Sequence, residues 1–190
     1  GCGGWVTSWL NAAWEAPGMA AIMNLTLLPS GHEHVVQAAT FICDHGASEC
    51  AGNSWEQCAI ASYPHPQQHF PWFVCLERAA LAAAGGAPDW SSAALECAAA
   101  ASLDFAPIAA CYADPARRQA LALAFIARNP PQLQTEGYVP LVLVAGDIVP
   151  LGHNPQHLNE QMLPMLCAAW VKEGGAPPAA CANATRALAA

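Results

Sequence analysis

The chain has 190 residues, which is typical of one ordinary domain; 55% of them are hydrophobic and only 11% are charged. This composition favours a buried core over intrinsic disorder. The formal net charge is −8, and the six basic residues are dispersed, which argues against binding to nucleic acid or to an anionic membrane surface. The sequence contains no uninterrupted apolar run of the ~18–20 residues that span a bilayer.

Cysteine usage indicates an oxidising environment. Nine cysteines are present, and reducing compartments do not favour such a count unless metal binding or catalysis explains it. Sequons for N-glycosylation at Asn24 and Asn183 point the same way. The protein is therefore expected to enter the secretory pathway. Because nine is odd, one thiol remains outside the disulfides or its partner lies outside this chain.

The first predicted element is an amphipathic helix that ends before Pro17-Gly18, because Trp5, Trp9 and Ala13 recur at helical spacing. Cys2 then lies at the helix N-terminus, where backbone N–H groups and the helix dipole stabilise a thiolate. Its position alone favours a structural cysteine near a frayed terminus. Residues 21–28, AIMNLTLL, form a β-prone run that predicts a strand.

The middle of the chain is predicted to be mostly helical. Residues 31–39 predict a loop in which His32 and His34 are solvated, and residues 40–42 a short strand. Helices are predicted at about 52–62, 67–84, 90–101 and 105–128, the last one broken near Ala113-Asp114-Pro115. Residues 139–149 predict a hairpin of two buried strands, followed by a helix at about 159–173. This order indicates an α/β layer with a helical insertion.

The sixteen residues from Cys43 to Cys58, CDHGASECAGNSWEQC, are unusually dense in reactive side chains. They predict either a disulfide framework or a zinc module with Cys43, His45, Cys50 and Cys58 as ligands. The spacing fits none of the usual paired finger patterns, so no metal site is expected. A serine hydrolase has no support, since no G-x-S-x-G elbow is present.

This segment resembles the signature of the gamma-interferon-inducible lysosomal thiol reductase (GILT) family, C-x-H-G-x-x-E-C-x-x-N-x-x-x-x-C. Every spacing of that pattern is kept. The resemblance extends over nearly the whole chain, including residues 23–29 and Tyr138-Val139-Pro140. The matching signature residues are Cys43, His45, Gly46, Glu49, Cys50, Asn53 and Cys58.

The resemblance implies an α/β, thioredoxin-like fold with a disulfide-rich helical insertion at about 43–130. It places the hairpin and last helix at about 138–173, within a single domain over 1–190. The resemblance also implies that the protein is lysosomal/vacuolar or extracellular. The first strand of the fold and the first cysteine of a C-x-x-C pair are expected before residue 1. The chain as given is therefore expected to be an N-terminally incomplete copy that does not catalyse a dithiol–disulfide cycle.

The resemblance also assigns roles to individual residues. Cys2 corresponds to the resolving cysteine of a pair that reduces protein disulfides with the help of a small-thiol reductant; no cofactor is implied. Pro140 corresponds to a cis-proline that faces the pair, and Val139 lies beside it in the substrate-binding loop. The signature residues His45, Glu49 and Asn53 are expected to cap and hold a loop.

Eight cysteines would then form structural disulfides, with roughly a hundred pairings possible. These are Cys43, Cys50, Cys58, Cys75, Cys97, Cys111, Cys167 and Cys181. The alternative function is a secreted, disulfide-stapled binding protein of the same fold without redox activity. A serine in place of the first cysteine of the pair would favour that alternative.

Overall fold

The structure, a computed structural model, describes residues 2–30, 32–36, 40–83, 87–133, 138–149 and 156–182. The chain divides into two compact units. Unit 1 consists of Gly1–Asn24 with Pro140–Ala190, and unit 2 of Leu25–Val139. Helices and two small sheets make this a mixed α/β protein, as predicted. The thioredoxin-like arrangement and the single domain remain predictions.

Unit 1 begins with a continuous helical run, which confirms the predicted N-terminal helix. It consists of α1 (Cys2–Trp5), a π-helical turn (Val6–Leu10) and α2 (Asn11–Glu15). Its buried side chains include Trp5, Leu10 and Trp14, so an aromatic and aliphatic stripe holds the run against the rest of unit 1.

The predicted strand at 21–28 is wrong. A short helix, α3 (Met19–Ile22), follows Gly18, whose φ of 84° is left-handed. Residues 23–28 have neither helix nor strand, although Met23 is extended and buried while Asn24 and Thr26 are exposed. The run has the alternation of a strand, but none of the described residues forms a ladder with it, and a short apolar run does not by itself distinguish helix from strand.

Unit 2 opens with an antiparallel hairpin of β1 (Glu33–Val36) and β2 (Thr40–Cys43), with Glu33 opposite Cys43. The short strand at 40–42 is confirmed, whereas the predicted loop is wrong for residues 33–36. His34, Val35 and Val36 are all exposed, so β1 lacks the alternation of buried and exposed residues from which a strand could be predicted. The segment is a strand because β2 pairs with it.

The predicted helices of the insertion are confirmed, and the last one is broken where expected. Asp114 caps the helix after the break by accepting hydrogen bonds from the N–H groups of Ala116 (2.9 Å) and Arg117 (3.1 Å), with Pro115 in the first helical position. Among the described residues no helix is long and apolar enough to cross a membrane. The helices are α4 (Ala47–Ser62), α5 (Pro66–Ala82), α6 (Trp90–Ala100), α7 (Ala106–Ala113) and α8 (Pro115–Arg128).

The core of unit 2 lies between these helices. Phe70, Trp72 and Leu76 of α5 and Ile108 of α7 are completely buried. The Trp72 indole N–H donates to the carbonyl of Ala94 in α6 at 3.1 Å, which satisfies the one polar atom of a buried indole.

The chain returns to unit 1 with the predicted hairpin. Strands β3 (Leu143–Val144) and β4 (Asp147–Ile148) pair antiparallel around Ala145 and Gly146, whose φ angles of 52° and 90° fit a tight turn of the primed type. The last predicted helix is also present, as α9 (Gln156–Lys172).

Candidate functional site

Eight of the nine cysteines lie in four disulfides. One joins β2 to α4, one α4 to α7, one α5 to α6, and one α9 to the segment after it. The first three are within unit 2 and the fourth within unit 1. The pairs are Cys43–Cys50, Cys58–Cys111, Cys75–Cys97 and Cys167–Cys181.

The ninth cysteine, Cys2, lies outside this framework. It is half-buried and is the first residue of α1, where the N–H groups at the start of a helix have no intrahelical acceptor. A thiol in that position is close to hydrogen-bond donors that favour its thiolate form. The structure therefore distinguishes Cys2 from the structural cysteines, which spacing alone did not.

A π-helical turn follows α1 directly. The backbone N–H of Asn11 donates to the carbonyls of Ser8 and Val6, and its side-chain amide donates to Glu15 Oε1 at 3.0 Å. Such wide turns occur often at functional sites. No sequence pattern predicts this turn, because a single π-helical turn leaves the apolar spacing of the helical run nearly unchanged.

Val139 and Pro140 are half-buried in an irregular segment that leads into β3. Val139 belongs to unit 2 and Pro140 to unit 1, the unit that contains Cys2. That Pro140 faces Cys2, and that Val139 contacts substrate, remain predictions.

The signature histidine and glutamate contact each other where the loop after β2 enters α4. Glu49 Oε2 accepts from the backbone N–H of His45 at 2.9 Å, and Glu49 Oε1 lies 3.0 Å from His45 Nδ1. The hydrogen bond to Glu49, with the charge of that carboxylate, raises the pKa of His45 above its ordinary value. The amide of Asn53 lies 3.9 Å from Cys43 Sγ. These contacts agree with the prediction that the three residues hold the loop, although α4 has no side-chain cap at its N-terminus.

The zinc module considered from the sequence is wrong. Cys43 and Cys50 are bonded to each other and Cys58 to Cys111, so none of the three sulfurs is a thiolate that could coordinate zinc.

Buried carboxyl groups are a feature that the sequence analysis missed. Glu56 of α4 is only 6% exposed and shares a hydrogen bond with the half-buried Glu77 of α5. Burial, reinforced by the charge of Glu77, raises the pKa of Glu56 well above its ordinary value, and burial also raises the pKa of Glu77. The sequence contains a signal for this burial, since Glu77 lies at helical spacing from the buried Phe70, Phe73 and Val74.

A cavity of about 440 Å³ opens on the insertion beside α6 and α7. Its aromatic wall includes Trp55 stacked on Tyr112, with ring centroids 3.9 Å apart, and the guanidinium of Arg118 lies 4.8 Å from the Tyr112 ring centre. The other aromatic side chains in its lining are Trp90 and Phe105. Sequence reasoning missed this cavity because its residues come from distant helices.

The first glycosylation sequon is accessible: Asn24 is exposed and lies in an irregular segment. Asn183 lies outside the described residues, so the second sequon remains a prediction.

Comparison with known proteins gives two matches. Residues 1–101 match the family model described as gamma interferon inducible lysosomal thiol reductase (GILT). A curated relative, the gamma-interferon-responsive lysosomal thiol protein of Arabidopsis thaliana, is 32% identical over 56 residues. That match covers 30% of this chain and 24% of the relative, so the similarity spans about a quarter of the relative's length.

Proposed function

The chain belongs to the gamma interferon inducible lysosomal thiol reductase family, and we propose that it is part of a thiol–disulfide oxidoreductase that reduces protein disulfides. The observation that carries the proposal is the separation of the cysteines into two sets. Eight are used in disulfides, and Cys2 alone lies outside them at the start of a helix.

The reaction takes place in two steps. The thiolate of the first cysteine of a C-x-x-C pair attacks a substrate disulfide, forming one S–S bond and releasing one substrate sulfur as a thiolate. The thiolate of Cys2 then attacks the resulting mixed disulfide, which releases the second substrate sulfur and leaves the pair oxidised. A small-thiol reductant returns the pair to its dithiol form by the same exchange chemistry.

The place of Cys2 in α1 suits it to the resolving step. Two residues between the cysteines would put both sulfurs on the first helical turn, within disulfide distance. Pro140 is proposed as the cis-proline opposite the pair, with Val139 in the loop that holds the substrate chain.

The structural disulfides keep the remaining cysteines out of this exchange. Cys58, Cys97 and Cys111 are at most 2% exposed, so an incoming thiolate has no path to them in the folded protein. Disulfide-containing proteins are therefore proposed as substrates reacting at Cys2 and its partner. We place the protein in the secretory pathway, in a lysosomal/vacuolar or extracellular compartment, and infer a thioredoxin-like arrangement for the intact chain.

The test is insulin reduction by three proteins: this chain, a chain extended at its N-terminus through the natural upstream residues, and the extended chain with Cys2→Ser. The extended chain is expected to turn over with a small thiol. The Cys2→Ser variant is expected to be at least about tenfold slower and to accumulate a mixed disulfide visible by mass spectrometry, because its resolving sulfur is gone.

Ser8→Ala is the matched control, since Ser8 is exposed on the same helical run. It should leave turnover unchanged. Equal rates for this chain and the extended chain would contradict the two-cysteine mechanism. Absence of reduction by the extended chain, especially if serine stands at the first position of the pair, would instead favour the disulfide-stapled binding protein.

A further inference from the structure

Three histidines and two carboxylates meet where the β1–β2 hairpin joins α4. We propose that this cluster binds a divalent transition-metal ion such as Zn²⁺, with His32, His45 and Glu49 as ligands and Asp44 beside them. The site goes beyond the proposed redox function and involves none of its residues. The five members are His32, His34, Asp44, His45 and Glu49.

The hairpin register brings the first part of the cluster together. Glu33 pairs with Cys43, and the N–H of Asp44 donates to the carbonyl of His32 at 3.2 Å, so His32 and Asp44 are cross-strand neighbours. His34 lies two residues further along the same strand and therefore on the same face. Its Nε2 is 3.1 Å from Asp44 Oδ1.

The distances suit a metal site that needs only a small contraction. One ligand atom from each of His32, His45 and Glu49 lies within 4.8 Å of the others, and the two imidazole centroids are 5.7 Å apart. Ligands around tetrahedral zinc are about 3.4 Å apart. Rotation of His45, whose side chain is 72% exposed, can make up this difference without moving the backbone.

His32 supplies a second, independent indication. Its Nδ1 is out of contact with solvent and has no hydrogen-bond partner among the described residues; the nearest carboxylate oxygen, Asp44 Oδ2, is 3.7 Å away. A buried polar atom left unsatisfied costs about 1–3 kcal/mol. Coordination through that nitrogen would remove the cost.

The hydrogen bonds that hold the loop leave ligand atoms of the cluster available. Glu49 Oε2 accepts from the His45 backbone N–H, whereas Oε1 contacts the imidazole. The Cys43–Cys50 disulfide closes the loop that carries Asp44, His45 and Glu49, which reduces the entropy lost on binding. Imidazole with carboxylate is a ligand set that suits Zn²⁺ or Cu²⁺, whereas Mg²⁺ and Ca²⁺ take oxygen ligands.

The experiment is calorimetric titration of the tag-free chain with ZnCl₂ in the Cys2→Ser background, which removes the reactive thiol as a competing ligand. One zinc per chain is expected. His32→Asn and His45→Asn should each weaken binding at least about tenfold. His65→Asn is the matched control, because His65 is exposed and lies outside the cluster, and it should bind zinc like the parent.

A second measurement needs no substitution and so does not depend on how the variants fold. Zinc should protect His32 and His45, but not His65, from diethyl pyrocarbonate in the otherwise native chain, read by mass spectrometry. Lack of binding at millimolar zinc, unchanged affinity in a folded His32→Asn variant, or absence of this protection would each overturn the proposal. None of these readouts depends on reductase activity.

Discussion

Gly46 shows why a signature position requires its residue. Its backbone angles are φ 89° and ψ −169°, a combination that is essentially restricted to glycine. A Cβ built there would meet no described atom within 4 Å, so crowding is not the reason. The residue lets the chain turn from Cys43 into α4 within the loop that the Cys43–Cys50 disulfide closes.

Gly46→Ala is expected to lower the free energy of unfolding by about 1–3 kcal/mol, because alanine pays the full cost of this conformation. Urea denaturation followed by circular dichroism measures it. Gly4→Ala is the control: Gly4 lies in α1, also with open space around its Cβ, and alanine should be neutral there or stabilising by up to about 1 kcal/mol. A similar effect at both positions would contradict the backbone explanation.

At the scale of elements, disulfides link the helices of the insertion that pack against each other. Helix α6, WSSAALECAAA, is rich in alanine, which forms helices readily but offers a small apolar side chain. Cys75–Cys97 holds it to α5, and Cys58–Cys111 holds α4 to α7 at the centre of the core. The disulfides thus reinforce helix pairs that already share the buried core of unit 2.

Removing a disulfide that closes a long loop should lower the free energy of unfolding more than removing one that closes a short loop. Cys58 and Cys111 are 53 residues apart and Cys43 and Cys50 only 7, so loop entropy gives about 4 kcal/mol for the first pair and about 2.5 kcal/mol for the second. Paired Cys→Ala variants, compared by urea denaturation at equal pH, measure both costs. A larger loss from the Cys43/Cys50 variant would contradict this ordering.

Elements with a long apolar period could be predicted from the sequence, while elements defined by a partner could not. Helix α5 and the helix break at Asp114 follow from local spacing and capping. Strand β1 depends on pairing with β2, and residues 23–28 looked like a strand but have no ladder partner among the described residues. The cysteine pairing and the His32–His45 approach likewise depend on tertiary contacts between segments that the sequence keeps apart.

At the scale of the whole molecule, buried carboxyl groups make the stability of the protein depend on pH. Burial raises the pKa of Glu33, Glu56 and Glu77 above their ordinary values. Each such group holds its proton more tightly in the folded than in the unfolded chain. The stability they contribute is complete below the unfolded pKa of about 4.5 and is lost as the pH rises through the folded pKa.

His69 acts in the opposite direction. It is 2% exposed, and burial lowers its pKa although its Nδ1 donates to the Tyr63 carbonyl at 2.7 Å. The stability that His69 contributes to the folded protein is present above the unfolded pKa of about 6.5 and is lost as the pH falls. The net pH dependence of the wild type therefore mixes two signs, and only a comparison with a variant isolates the carboxyl pair.

Glu56→Gln removes one member of that pair while keeping its shape. The free energy of unfolding of the variant relative to wild type is expected to rise steadily from pH 4.5 to pH 7, because the unfolded wild type releases the Glu56 proton over that window while the folded wild type retains it, and the variant has no such proton. Urea denaturation at several pH values measures the difference, in which His69 cancels.

Glu96→Gln is the matched control, since Glu96 is exposed on α6 and lies outside the buried pair. A difference for Glu56→Gln that does not change with pH would show that the Glu56–Glu77 contact does not set the pH response. A rising one would mean that the insertion is most stable under acidic conditions. That outcome would agree with the proposed location in a lysosomal/vacuolar compartment.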